Sequence, residues 1–205
     1  HHMTTMEGGM MTCRDEETAD QLKVLRAHGW LRNVDVARFQ LPNEVLDPRY
    51  TFVNWGFNVR PTDVQAGFGL RQLEKLPVFN QRREVFAVKF FAFIDKSPFL
   101  QRPIVSEMAH PSWFALPLLV NENAPFCRKE LTDYLEEQGV ETRPVVAGNL
   151  AKHPVAQLFK EFGETKYPGA DFIHERGFYI GLSPLQTDEA MDRLIDCFQR
   201  FLKRV

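Results

Sequence analysis

Cysteine is scarce in these 205 residues. Cys13, Cys127 and Cys197 are odd in number, far apart, and include no C-x-x-C pair. That excludes a disulfide framework or a thiolate zinc site and points to isolated thiols in a reducing compartment. No apolar run approaches the about 20 residues of a membrane span, and no signal peptide is visible. The chain is therefore expected in the cytoplasm, without a membrane partner. Excess charge is lacking too: the formal net charge of −2 gives no electrostatic reason to expect nucleic acid. Histidines and carboxylates do not recur at ligand spacing, so no metal site is expected; internal repeats, low-complexity tracts and a Walker-type glycine loop are also missing. Tyrosine is rare at 4, but phenylalanine reaches 18, which points to large buried interfaces. The 44% hydrophobic content is that of an ordinary globular chain, long enough for one or two domains.

What is present centres on residues 56–76, GFNVRPTDVQAGFGLRQLEKL. Gly56 and Asn58 suit a loop. Thr62 and Gln65 then stand in the spacing of a capping box, with Pro61 before the cap and Asp63 in the first turn. Val64, Phe68 and Leu76 fall on or near one face. Ala66, Gly67 and Gly69 leave little bulk, which predicts close approach of another backbone, since each interior glycine costs about 1 kcal/mol. Asn58 and Arg60 place an amide and a fixed cation beside the free N–H groups of the helix start, a donor set suited to phosphate. Leu76 and Pro77 are expected to close this helix, with a second following over residues 80–95 and burying Val85, Phe86, Phe90 and Phe93.

Around that stretch, the opening residues read as a polar loop entering a short strand over Met10–Cys13. A helix follows, with Asp15, Glu16 and Glu17 at its start, Leu22 and Leu25 buried, His28 near its C-terminus and Gly29 as its stop. Residues 30–50, with Pro42 and Pro48, read as irregular, and 97–111 as a loop. The remainder alternates strand and helix. Strands are expected over residues 113–120 and 140–146 and within 171–182. One helix is expected over 126–138, stopped by Gly139, and a last one capped by Thr187, with Met191, Leu194, Ile195, Phe198 and Leu202 on one face. Such alternation suits a small α+β domain with helices on one face of a sheet.

The 56–76 segment closely resembles the G-Y-N-x-R-x-(S/T)-x-x-Q-A-A-x-G-x-x-Q-L-x-K-L signature of the DegT-type sugar aminotransferases. These enzymes use pyridoxal phosphate on nucleotide-linked keto sugars. The resemblance implies an α/β fold, the pyridoxal-phosphate transferase fold of type I, in an incomplete form. Residues 1–96 would be the end of the large cofactor domain with connecting helices, and residues 97–205 the small α+β C-terminal domain. It implies that Asn58 and Arg60 reach the cofactor phosphate of a neighbouring subunit, hence a homodimer. Relatives begin with a longer stretch that carries the aspartate facing the pyridine nitrogen and the residue stacked on the ring. The chain is thus expected to be a C-terminal portion, inactive by itself.

The family's cofactor loop reads K-H-I-T-T-G-E-G-G, and its lysine forms the Schiff base. Aligned without gaps, His1 falls on that lysine, while Thr4, Thr5, Glu7, Gly8 and Gly9 match. A His-His-Met opening is also the text of an affinity-tag remnant. The family's nucleotide-sugar 3-dehydratase branch replaces the lysine by histidine, and His-His-(I/M)-(T/S) is its expected text. That resemblance implies a base at His1, with pyridoxal or pyridoxamine phosphate held without a covalent tether. The reaction implied is loss of the C3 hydroxyl of a 4-keto-6-deoxyhexose, as in deoxysugar and lipopolysaccharide biosynthesis. The alternatives are a fragment of a sugar aminotransferase, or a non-catalytic association module. An iron–sulfur branch carries clustered cysteines in the region matching residues 30–50; none occurs here, so no cluster is expected. The stretch 140–153, VETRPVVAGNLAKH, resembles the T-R-x-x-x-A-G-N of the same dehydratases. Arg143 is the candidate for an anionic group, a nucleotide diphosphate or the carboxylate of an amino donor such as glutamate. Asn149 is the candidate for sugar hydroxyls, with a rim ion pair and a turn as the structural alternatives for the two residues.

Overall fold

Asp15 begins the first helix as its sequence suggests, accepting a hydrogen bond from the Thr18 amide at 2.7 Å, and α1 runs over Glu16–Arg26. The computed structural model describes residues 1–41, 46–47, 50–159 and 165–205. Pro42 and Pro48 lie outside the described residues. The chain divides into two units, one of residues 3–74 and one of residues 1–2 together with 75–205.

In the unit of residues 3–74, α1 buries Val24 and Asp20, while Leu22 and Leu25 are only half-buried. Asp20 is tolerated there because it is fully bonded. Lys23 reaches it at 2.7 Å, Arg38 at 2.8 Å and the Asp35 amide at 3.3 Å. Led by the Lys23 hydrogen bond, these partners hold the Asp20 carboxyl below the usual carboxylate range. A carboxyl depressed on folding stabilises fully above its unfolded value, near 4, and loses that contribution as pH falls through the lower folded value. Asp20→Asn should therefore be less stable than the parent at neutral pH, and the gap should close below about pH 4 in thermal melts. The expected strand over Met10–Cys13 does not form. Met10 and Met11 are exposed there, so the apolar run has no buried face to repay extended pairing.

The helix start at Thr62 is a reciprocal capping box. The Gln65 side chain accepts from the Thr62 amide at 2.8 Å, and the Thr62 hydroxyl accepts from the Gln65 amide at 3.4 Å. The resulting helix does not stop at Pro77: α2 is one element over Asp63–Ile94, with Pro77 inside it. A proline there removes a hydrogen bond and costs about 3 kcal/mol. Burial beyond it offsets that cost, since Phe86, Ala87, Phe90, Phe91 and Ile94 all enter the core. Val85, expected inside, is exposed, and Phe93 is half-buried. Among the described residues of this chain the glycines meet no other backbone: a Cβ on Gly67 would find open space, and one on Gly69 would meet the Thr5 side chain at 3.0 Å.

The other unit is built on a four-stranded antiparallel sheet of order β1-β2-β4-β3. Its strands are β1 (Leu100–Gln101), β2 (Ala115–Val120), β3 (Thr142–Pro144) and β4 (Gly177–Gly181). β1 falls inside the stretch read as loop, being only two residues long. Three helices accompany the strands: α3 (Arg128–Glu137), α4 (Pro168–Arg176) and α5 (Asp188–Leu202). Gly139 follows α3 with φ of 79°, and Thr187 caps α5 through the Ala190 amide at 3.2 Å, both as expected. Leu116 pairs with Ile180, and Leu118 with Phe178, so both strands point apolar side chains into one core. Leu131, Leu135, Met191, Leu194 and Phe198 close it from α3 and α5. Phe90 and Phe198 meet edge-on at 5.4 Å, as do Phe126 and Phe201 at 4.9 Å.

Candidate functional site

The loop carrying Asn58 and Arg60 is fixed by main chain. His28 and Gly29 take positive φ, 64° and 81°, just after α1. The turn brings the backbones of residues 28–29 and 54–56 into direct contact. A Cβ on Gly29 would lie 1.7 Å from the Asn54 carbonyl oxygen, and one on Gly56 would lie 2.0 Å from the Gly29 nitrogen. Three further main-chain hydrogen bonds continue the seam. His28 donates to Phe57 at 2.8 Å, Phe57 to Leu25 at 2.7 Å and Val59 to Arg26 at 3.1 Å. Asn58 and Arg60 are thereby held together, the Arg60 guanidinium donating to the Asn58 side-chain oxygen at 3.3 Å. Among the described residues Arg60 forms no ion pair, and both groups are exposed just ahead of the α2 N-terminus. A guanidinium, an amide and the first-turn N–H groups left over by the Thr62–Gln65 box make an anion-binding donor set, beside the Asp63 carboxylate.

His1 and Arg143 line one open cleft in the other unit, together with Phe114, Tyr179, Gln186 and Arg193. The His1 ring packs on Phe114 at 4.8 Å, and Phe114 meets Tyr179 edge-on at 6.2 Å. His2 is hydrogen-bonded through its Nε2 to the Ser112 carbonyl, and Arg83 donates to the His1 carbonyl at 3.3 Å. Both opening histidines are therefore packed against the protein. Arg143 lies opposite Tyr179 across β3 and β4, so the two side chains share a face. Its guanidinium is ion-paired with Glu141 at 2.7 Å, which raises its already high pKa. An incoming anion would share this exposed pair.

Asn149 does not line that cleft. It is buried, donating from its side chain to Asp171 at 2.8 Å and accepting from the Ala151 amide at 2.9 Å. The Lys152 ammonium lies 2.7 Å from the same Asp171 carboxylate, and its hydrogen bond is the main reason that carboxyl is held below its usual range. His153 and His174 likewise serve the 147–153 turn, through the Ala147 carbonyl at 2.8 Å and the Asn149 amide at 3.3 Å. Among the described residues no group of three His, Cys, Asp or Glu side chains converges as a metal-ligand set, and no helix is long and apolar enough to cross a membrane.

Sequence reasoning missed Phe114, Tyr179, Arg193 and Arg83. Arg83 left a signal, because it stands on the spacing of Phe86, Ala87, Phe90 and Ile94, where a charge interrupts the apolar stripe. Tyr179 and Phe114 left none, since aromatic residues in or beside strands look like core.

Comparison with known proteins gives a consistent result. The chain is 33% identical over 206 residues to GDP-4-keto-6-deoxy-D-mannose 3-dehydratase of Yersinia pseudotuberculosis, covering 98% of this chain and 51% of that protein. It is 28% identical to dTDP-4-dehydro-2,6-dideoxy-D-glucose 3-dehydratase of Saccharopolyspora spinosa, covering 100% of this chain and 46% of the relative. The structure of Escherichia coli GDP-4-keto-6-deoxy-D-mannose-3-dehydratase with bound hydrated pyridoxal phosphate superposes with a TM-score of 0.83 at 30% identity, over 96% of this chain and 51% of that one. The chain thus spans about half the length of the curated relatives it matches, and it has the fold of the corresponding half. The family model for the DegT/DnrJ/EryC1/StrS aminotransferases matches residues 1–199, and the chain belongs to that family.

Proposed function

We propose that this chain is part of a nucleotide-sugar 3-dehydratase that works with pyridoxal or pyridoxamine phosphate and removes the C3 hydroxyl of a 4-keto-6-deoxyhexose. What supports this reading is His1: the opening HHMTTMEGG resembles the family's cofactor loop with an imidazole in place of its lysine, and His1 lines a cleft with Arg143. Asn58 and Arg60 fit the phosphate end of the cofactor by charge and donor type. When bound, the cofactor supplies an amine for the keto group and a conjugated ring that takes up electrons.

The chain's own residues then do three things. His1 moves a proton through its imidazole nitrogen, and it cannot tether the cofactor as a lysine amine would. Arg143 attracts an anionic group, the nucleotide diphosphate or the carboxylate of an amino donor such as glutamate. Asn149 supports the turn after β3, because its amide is already committed to Asp171 and Ala151. Residues 1–96 would close the large cofactor domain and 97–205 form the small one, in a cytoplasmic homodimer. Exposed Trp55, Phe57, Val64 and Leu70 supply apolar surface for partner contacts.

Incubation with pyridoxamine phosphate and a nucleotide-linked 4-keto-6-deoxyhexose tests the reading. The test is run on the chain alone and on a catalytically complete assembly containing it. The complete assembly should release a sugar lacking one oxygen atom by mass spectrometry. The chain alone should bind cofactor, seen as retained near-ultraviolet absorbance, without turnover. A sugar gaining an amino group would mark an aminotransferase. Failure of both chain and assembly to retain cofactor would leave an association module.

A further inference from the structure

We infer that Arg83 is the positioning residue for His1. Arg83 is 4% exposed and lies on the buried stripe of α2, beside Phe86 and Ala87. Among the described residues it has no carboxylate partner, and burial alone pushes its guanidinium below the ordinary arginine range. A buried unpaired cation is costly, so its contacts must offset that cost. Those contacts are two main-chain carbonyls: Nε donates to Leu182 at 3.2 Å and Nη2 to His1 at 3.3 Å. Nη1 is buried with no hydrogen-bond partner among the described residues. Nε and Nη2 share one edge of a rigid planar fork, so the spacing of the two carbonyls is set by the guanidinium itself.

The arrangement closes on itself. The Leu182 amide donates to the Phe114 carbonyl at 2.8 Å, and the Phe114 ring packs on the His1 ring at 4.8 Å. His1, Arg83, Leu182 and Phe114 therefore form a closed circuit in which the imidazole is held by its backbone on one side and its ring on the other. The fork ties it to the segment following β4, which the sheet holds rigid.

The functional weight of this inference rests on His1 acting as the base, but its test does not involve turnover. Nuclear magnetic resonance of the full chain reads the His1 ring and the Arg83 Nε–H directly. In the unaltered protein the Nε–H should be protected from exchange, and the His1 ring should show through-space contact with Phe114. Arg83→Met should move the His1 ring signals to those of a solvent-exposed histidine and abolish that contact, while Leu131 and Phe198 signals stay. Arg83→Lys keeps the charge, loses the fork, and should not restore the contact. A freely exchanging Nε–H in the unaltered chain, or an undisturbed His1–Phe114 contact in either variant, would overturn the assignment. Absence of dehydration or of cofactor binding would count against the proposed function and leave this result standing.

Discussion

Replacing His1 by asparagine should slow loss of the C3 hydroxyl by about 10²- to 10⁴-fold, the usual contribution of a positioned general base. The measurement is made in a catalytically complete assembly containing this chain, under single-turnover conditions with cofactor already bound. Asparagine keeps a polar side chain of similar reach but cannot accept a proton at neutral pH. Cofactor retention should change little, because the donors proposed for its phosphate are Asn58 and Arg60, which hydrogen-bond each other, not His1. His1→Lys should move the product in the other direction, towards amine transfer, because an amine can hold the cofactor covalently and reset it. An unchanged single-turnover rate in the asparagine variant would remove His1 from the reaction. The Phe114 contact and the Arg83 hydrogen bond would then be mere anchorage for the start of the chain.

Phe198→Ala carries the largest expected cost in stability, about 3–5 kcal/mol. The ring is fully buried, meets Phe90 edge-on at 5.4 Å and Phe93 at 6.4 Å, and belongs to the same cluster as Met191 and Leu131. Truncation removes the aromatic contacts as well as buried area, and leaves a void between α5 and α2 that neighbours in regular elements cannot fill. For a chain of this length the midpoint of thermal unfolding should fall by roughly 10 °C. Val85→Ala on the same helix α2 is the control. Val85 is 58% exposed, and its truncation should stay within about 0.5 kcal/mol. Equal effects at the two positions would mean that α5 does not pack on α2 through Phe198.

Signals that are local in sequence read correctly. The Thr62–Gln65 box, the Thr187 cap and the glycine at 139 each involve partners within a few residues, so spacing alone determines them. The apolar face of α5 read correctly because period and amphipathicity agree along its whole length. Where the outcome depended on tertiary burial, sequence spacing misled. Pro77 looks like a stop, yet the buried turns beyond it keep α2 intact. Met10–Cys13 has the composition of a strand but pairs with no strand among the described residues. Asn149 reads equally as a sugar contact or a turn residue, and its bond to Asp171, twenty-two positions away in sequence, lies beyond what spacing reveals. The family signature pointed to Asn58 and Arg60 as a pair. Their common anchorage to the end of α1 required the fold, since it runs through main-chain atoms that carry no residue identity.

That anchorage has a consequence for how the loop tolerates change. Peptide N–H and C=O groups are supplied by every amino acid except proline, which lacks the donor, so side chains at positions 57 to 60 can be exchanged without unseating the segment. Gly29 and Gly56 are different, because each stands where even a methyl group would strike the opposing strand of peptide. Drift in ligand preference can accumulate between two immovable points, and a lineage could retune what the loop grips while never altering where it lies.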